Sequence, residues 1–397
     1  MTSDHYTYMA PWRQWGTDLD PGAIEQMKNA CRLPVAIRGA LMPDAHTGYG
    51  MPIGGVLATQ EAIIPFAVGM DIACRMKLTV FDMPIDALTK ERDKLIDALE
   101  KETCFGIGNG FQPRKQHKVM DEDWSVSPVT SQFKDKAWHQ LGSSGSGNHF
   151  CEFGILTVRS RDLGLDTGLY MALLTHGGSR GTGAEVATYY SKLAKRKRPD
   201  LPHEMADLAW LNLQSHEGQE YWAAMELMGK YAAANHELIH EAIARHLDVS
   251  ALLGIENHHN FAWRETLADG QKIIVHRKGA TPAGKGAIGV IPGSMATPAY
   301  VVRGKGNDES LNSAAHGAGR KMSRAAAKRQ FSRQDMNAYL EKQGVELLSA
   351  DLDEIPMAYK NIDRVMAAQA DLVEIMAKFE PKLVKMAPPE RFRHGRR

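Results

Sequence analysis

Cysteine is scarce in this 397-residue chain. There are four, at Cys31, Cys74, Cys104 and Cys151, and no two form a CxxC pair. That excludes a disulfide scaffold and points to a reducing compartment, with the cytoplasm the expectation. No apolar run approaches membrane-spanning length, and the opening Met1-Thr-Ser-Asp-His-Tyr has no signal-peptide pattern, so no membrane association is expected. Net charge is nearly absent too: 48 Lys and Arg against 47 Asp and Glu leave +1. Any binding of nucleic acid must therefore come from a local patch rather than overall attraction. No internal repeat marks a solenoid, and no clean boundary separates two cores.

What the chain does have is glycine and histidine, 36 and 16 residues, several of them side by side in short loops. Loops carrying ligand-competent residues on a rigid scaffold are where function concentrates. The segment Asn312 to Arg324 sets one histidine, His316, among residues with almost no side-chain bulk, followed by Arg320, Lys321 and Arg324. A nucleophilic histidine with room for a phosphorylated ligand has this form, and so does a glycine turn entering a helix.

Other loops share that character. Leu41 to Thr59 reads as a Gly/Pro-punctuated loop running into a strand, with Asp44-Ala-His46 either a site or an Asx turn. Asp71 and Cys74, three residues apart, can reach one point. The Gly/Ser run before Asn148 and His149 offers backbone N–H groups suited to phosphate oxygens. His176 ends an apolar strand, and of the adjacent His258 and His259 only one can enter a given site. Asp71, Cys74, His149, His176 and one of that pair combine O, S and N donors, a set that favours zinc or manganese over magnesium. Pattern alone thus points to a divalent-metal enzyme acting on a phosphate ester.

Between these loops, helices are expected at Gly22 to Cys31, Ile85 to Leu99, Glu185 to Lys197 and Glu217 to Leu247. Three more are expected at Ser323 to Phe331, Gln334 to Gln343 and Ile362 to Lys378, with Ser332 an N-cap. The helix from Glu185 becomes strongly basic at Lys192, Lys195, Arg196, Lys197 and Arg198. Thr103 to Ser131 reads as an exposed excursion.

Seven segments together resemble the RtcB-type RNA-splicing ligases. They are Met42-Pro-Asp-Ala-His-Thr-Gly-Tyr-Gly50, Val68-Gly-Met-Asp-Ile-Ala-Cys74, Gly147-Asn-His-Phe150, His176-Gly-Gly-Ser-Arg-Gly181, His258-His-Asn260, Ile291-Pro-Gly-Ser-Met295 and His316-Gly-Ala-Gly-Arg320. They occur in the family's order and cover Met42 to about Lys385. The resemblance implies an α+β fold: one intimately folded unit over residues 1–385, glycine-rich loops lining a central metal site, helices peripheral. Residues 386–397 would form a basic, disordered tail.

It also implies GTP and two manganese ions per chain. Cys74 would bridge the ions, one completed by His149 and His176, the other by Asp71 and His259. His316 would be the nucleophile that takes guanylate from GTP. Guanylate contacts would come from Asn148, Phe150, Cys151, Glu152, Asn260, Pro292, Gly293, Ser294, Met295, Gly317, Ala318, Gly319 and Lys385. The implied partners are RNAs with 3′-phosphate or 2′,3′-cyclic phosphate ends and RNAs with 5′-hydroxyl ends, joined in RNA repair or tRNA splicing. An activating protein partner is left open. The chain departs from the family at Ala73 and Arg75, which replace glycines, at Ala299, which replaces a nucleotide-contacting serine, and at His236, where arginine is usual. A GTP-independent phosphodiesterase on RNA ends and a non-ligating RNA binder are the competing expectations.

Overall fold

The computed structural model describes residues 8–389. Its centre is an eight-stranded sheet in the order Ile288–Ile291, Ala299–Gly304, Val373–Met386, Phe150–Val158, Gly168–Gly177, Arg75–Phe81 and Ala251–His258. Glu346–Ser349 pairs in parallel alongside Val373–Met386. The other pairings are antiparallel. The sheet curls until its first and last strands meet, and a side chain closes the gap. Asn257 Oδ1 accepts from Val290 N at 2.8 Å, while Asn257 Nδ2 donates to Val290 O at 3.3 Å.

Alternation along each strand divides the apolar residues between two faces. Leu78, Leu156, Leu174, Val301 and Phe379 pack inside the curled sheet. Phe153, Leu173 and Phe81 point outward, against Leu95 and Leu99 of the helix Arg92–Glu102 and Ile239 and Ile243 of the long helix His216–Leu247. A second sheet, of five strands, runs Trp12–Gln14, Ala36–His46, Ile53–Thr59, Lys272–Lys278, Asn260–Thr266. The chain passes between the two sheets at His258 to Asn260, so residues there touch both.

Several sequence expectations are corrected. Leu41 to His46 is strand, not loop, because Leu41 and Met42 are fully buried and the segment pairs with Ile53–Thr59. The helix expected at Ile85 to Leu99 is two, Ala87–Lys90 and Arg92–Glu102, broken at Glu91. Thr103 to Ser131 is not simply exposed: Val119, Met120, Trp124 and Val129 are buried, and the helix Pro128–Gln140 begins inside it, capped by Ser127. The largest miss is Ile362 to Lys378. The helix stops at Ala367, and Val373–Met386 is a central strand. Helix-compatible residues there are overridden by pairing on both sides, with Ala299–Gly304 and Phe150–Val158.

Other expectations hold. The helices Pro21–Cys31, Arg180–Lys197 and His216–Leu247 lie where periodicity puts them, the second starting already at Arg180. Ser332 caps Arg333–Gln343 in a reciprocal capping box with Asp335. Of the expected tail, Met386 completes the central strand, Ala387 is buried, and residues 390–397 lie outside the described residues. Among the described residues no helix is long and apolar enough to cross a membrane.

Phe379 sits fully buried in the interior of the curled sheet. Phe379→Ala is expected to cost about 3–5 kcal/mol of unfolding free energy in urea denaturation, and a loss under about 1 kcal/mol would contradict that packing.

Candidate active site

Antiparallel neighbours start and end at the same rim, and this sheet uses that rule four times. Cys74 precedes Arg75–Phe81, His149 precedes Phe150–Val158, His176 lies near the end of Gly168–Gly177, and His259 follows Ala251–His258. Cys74 Sγ lies 3.1 Å from His176 Nε2 and 3.6 Å from His149 Nε2. His176 Nε2 is 3.3 Å from His259 Nε2, and Asp71 Oδ2 is 2.9 Å from His149 Nε2. All five predicted ligand residues therefore converge.

Two overlapping groups of donor atoms lie within 4.8 Å of one another, Cys74 with His176 and His259, and Cys74 with Asp71 and His149. Strand order is the reason: His176 and His258 sit on the two neighbours of Arg75–Phe81, opposite Met76 and Arg75. His258 faces away, its ring stacked on Trp263 at 5.1 Å, so His259 is the member of the pair that enters.

The donor set fits a cation. His176 Nδ1 donates to Asn148 O at 3.1 Å, which leaves the Nε2 lone pair aimed at Cys74 and His259. His259 Nδ1 is buried with no partner among the described residues. Imidazole nitrogens and a cysteine sulfur brought this close are donors suited to a borderline divalent cation. Burial lowers the His176 pKa to about 3, and burial with the surrounding imidazoles takes His259 well below its usual value, so both are neutral donors at pH 7. Burial pushes the Cys74 thiol up, and Asp71 pushes it further. Burial would raise the Asp71 carboxyl as well, but His149 and the Arg180 guanidinium hold it well below the usual range. His149 is constrained differently. Arg180 Nη1 donates to its Nδ1 at 3.2 Å, so a cation at Nε2 must displace a proton and turn Arg180 aside.

Across a cleft of about 1880 Å³ stands His316. Its ring centroid is 4.8 Å from that of His259. Its Nδ1 donates to Asp44 Oδ2 at 2.7 Å, and the backbone N–H groups of His316 and Gly317 donate to the same oxygen at 3.2 and 3.3 Å. Asp44 is 0% exposed, so the ring is held in one orientation with Nε2 left as the lone-pair nitrogen. Gly319 has φ 72° and packs so tightly on the Asp44 backbone that a Cβ there would meet Asp44 O at 2.1 Å. Only glycine admits this approach.

Most of the predicted guanylate contacts line the cleft. Asn148 and Phe150 do so on one side, Pro292, Gly293, Ser294 and Met295 on another, with Gly317, Ala318 and Gly319 beside His316. Four do not. Cys151 is fully buried against Leu95 and Phe153. Lys385 points to the opposite face of its strand, where Nζ donates to Leu99 O at 3.0 Å and pairs with Glu100, and its neighbour Met386 lines the cleft instead. Asn260 is a joint: Nδ2 donates to Asp71 O at 3.1 Å, and Oδ1 accepts from Gly279 N at 2.8 Å. Glu152 lies behind the wall, two residues along from Phe150, buried with Oε2 unpartnered, and burial pushes its carboxyl well above the usual range.

The Gly/Ser run is also not the expected phosphate bed. Of residues 141–148 only Asn148 reaches the cleft, and Ser143 O is taken by Arg180 Nη2 at 2.7 Å. Ala299 packs inside the curled sheet and does not line the cleft. The basic flank is largely compensated: Arg320 and Arg324 pair with the buried Glu354, and Arg324 also with Asp353, while Lys321 is exposed. Two functional positions escape the sequence reading. Asp44 reads equally as a turn residue, although a strand aspartate between Pro43 and an apolar neighbour has no turn to make. Arg180 offers a single signal, that it is the one large side chain in Gly177-Gly-Ser-Arg-Gly181.

A family model described as tRNA-splicing ligase RtcB matches residues 26–134 and 111–386. The chain is 33% identical to the RNA-splicing ligase RtcB of Escherichia coli K12, over 93% of this chain and 96% of that protein. It is 31% identical to the tRNA-splicing ligase RtcB of Thermococcus kodakarensis, over 90% and 89%. It is 32% identical to the RNA-splicing ligase RtcB of Mycobacterium tuberculosis, over 90% and 98%.

A Cβ on Gly178 would run into the Asp71 carboxylate, meeting Oδ1 at 2.1 Å and Oδ2 at 2.3 Å. Gly178→Ala is expected to push Asp71 aside and, with Mn²⁺ as the probe cation, to weaken binding about 10- to 100-fold in an electron paramagnetic resonance titration. Unchanged affinity would remove Asp71 from the ligand set.

Proposed function

The chain belongs to the RtcB family of tRNA-splicing ligases, and from that premise we propose that it seals RNA ends through a guanylate carried on His316. The observation that carries the reading is the pair formed by His316 and the buried Asp44. A carboxylate on Nδ1 fixes the tautomer, aims Nε2 into the cleft and stabilises the positive charge the ring acquires when it becomes a nucleophile.

In this reading Asp71, Cys74, His149, His176 and His259 would together hold two manganese ions. When bound, the ions neutralise charge growing on the phosphates and help orient the leaving pyrophosphate. The chain's own residues do the rest. His316 Nε2 attacks the α-phosphorus of GTP, a P–N bond forms, and the P–O bond to pyrophosphate breaks. Asp44 keeps the Nδ1 proton in place throughout. An oxygen of the RNA 3′-phosphate then attacks the same phosphorus, and the P–N bond breaks, which returns His316 and leaves guanylate on the RNA end. Finally the 5′-hydroxyl of the second RNA attacks the activated 3′-phosphate, its proton is lost, and GMP departs as the phosphodiester forms. A 2′,3′-cyclic end is first opened by water to the 3′-phosphate.

Glu152, buried two residues along from the cleft-lining Phe150 with Oε2 unpartnered among the described residues, is the acceptor that matches a base edge with adjacent N–H donors, which guanine has and adenine lacks. The small residues Gly317 to Gly319 leave room for the nucleotide at the nucleophile.

Incubation with radiolabelled GTP and manganese is expected to give covalently labelled protein. His316→Ala should abolish the label, and Asp44→Asn should slow labelling about 100-fold or more, since it leaves the shape but disturbs the tautomer. Opening of a 2′,3′-cyclic end without GTP, with full activity in His316→Ala and no labelling in the wild type, would favour a phosphodiesterase instead.

A further inference from the structure

The inner cleft is occupied by the residues already described, but its mouth holds a group they do not use. Tyr49 lines that mouth and is 70% exposed. A large aromatic left in water contributes little to folding, yet its backbone is firmly held. Lys278 Nζ donates to Tyr49 O, Gln26 Nε2 donates to Gly48 O at 2.6 Å, and Gly48 N donates to Gln26 Oε1 at 3.0 Å. The loop therefore presents the ring on a fixed base.

From Tyr49 a track leads away from the cleft. The Phe66 ring lies 6.4 Å from that of Tyr49, tilted by 30°. The Lys195 ammonium lies 5.4 Å from the Phe66 centroid. Lys195 belongs to the basic end of the helix Arg180–Lys197, where Lys192, Arg196 and Lys197 are exposed beside it. Arg198 follows, its guanidinium 4.3 Å from the Trp210 ring. Asp207 pairs with Lys195 and Glu217 with Lys197, while Lys192 and Arg196 have no ion pair among the described residues. Cations in a last helical turn are ordinary partners of the helix dipole. That does not account for Lys192, more than a turn from the end, nor for aromatic rings leading from it to the catalytic cleft.

An exposed aromatic ring at the mouth of a cleft, beside cations without ion pairs, matches single-stranded nucleic acid: rings stack on bases and cations follow the phosphates. We propose that the RNA strand leading to the reactive end leaves the cleft over Tyr49, stacks a base on the exposed Tyr49 ring, passes the half-buried Phe66, and lays its backbone along the unpaired Lys192 and Arg196. This rests on the RNA-ligase reading above, and it names the surface that holds the strand beyond its terminal phosphate.

The test is binding without GTP, so that it does not depend on guanylate transfer. Fluorescence anisotropy would use two single-stranded RNAs of about twelve nucleotides, within the range of such binding sites, one ending in a 3′-phosphate and one beginning with a 5′-hydroxyl and blocked at its 3′ end. Tyr49→Ala is expected to weaken at least one of them about ten-fold, and Tyr49→Phe to restore it. Lys192→Ala with Arg196→Ala should reduce the slope of log K against log salt by about 1.4, the contribution of two phosphates on a single strand. The RNA that responds identifies which strand follows the track. Since Tyr49 is exposed, an unchanged melting temperature separates lost binding from lost folding. Wild-type affinity and salt slope in both variants, for both RNAs, would overturn the track while leaving guanylate labelling of His316 intact. No RNA binding and no labelling in the wild type would overturn the ligase reading and the track together.

Discussion

Everything at this site depends on the register of three adjacent antiparallel strands. Arg75 lies opposite Gly177 on one side and His258 on the other, and Met76 lies opposite His176. That register brings Cys74, His176 and His259 to one rim, with Phe150 opposite His176 carrying His149 to the same place. Side chains alternate between faces with a period of two, so a slip by one residue would turn His176 outward. The apolar alternation that packs Leu174 inside and Leu173 outside resists such a slip. The core therefore specifies the geometry of the donor cluster.

Bringing these donors together carries local costs that neighbouring groups offset. Ala73 and Arg180 both have positive φ, 56° and 59°, which disfavours any side chain with a Cβ by about 1–2 kcal/mol. At Ala73 the turn is closed by a hydrogen bond from Cys74 N to Asp71 O at 3.2 Å and held by Ala73 N donating to Asn260 O at 2.7 Å. At Arg180 the conformation brings a buried guanidinium to the His149 ring and the Ser143 carbonyl. Backbone strain at such a site persists only where the surroundings over-determine it. Here hydrogen bonds from three separate segments do so.

How much of this the sequence discloses varies with the physics behind each residue. The five convergent donors are legible because His, Cys and Asp beside glycine at strand ends are uncommon as packing residues. The strand Val373–Met386 is hidden by side chains that suit a helix equally well, and only its two partners decide its conformation. In a strand, Lys385 and Met386 must face opposite sides, which puts Met386 at the cleft and the Lys385 ammonium on Leu99 O and Glu100. Asp44 is ambiguous because Pro-Asp reads as a turn, and its role depends on a partner 272 residues away.

His316 reaches the site from outside the curled sheet. It follows the short strand Ser313–Ala315, paired with Ala280–Pro282, and is oriented by Asp44 of the five-stranded sheet. His316 and the donor cluster therefore belong to different sheets, and their separation is only as constant as the contact between those sheets. Asn260 supplies that contact. It binds Asp71 O on the metal side and Gly279 N on the other, and a Cβ on Gly279 would come within 3.1 Å of the His316 ring. Positioning to a fraction of an ångström is what lets in-line attack on a phosphorus proceed efficiently. Asn260 thus helps to hold His316 at a set distance from the cluster of metal-competent donors.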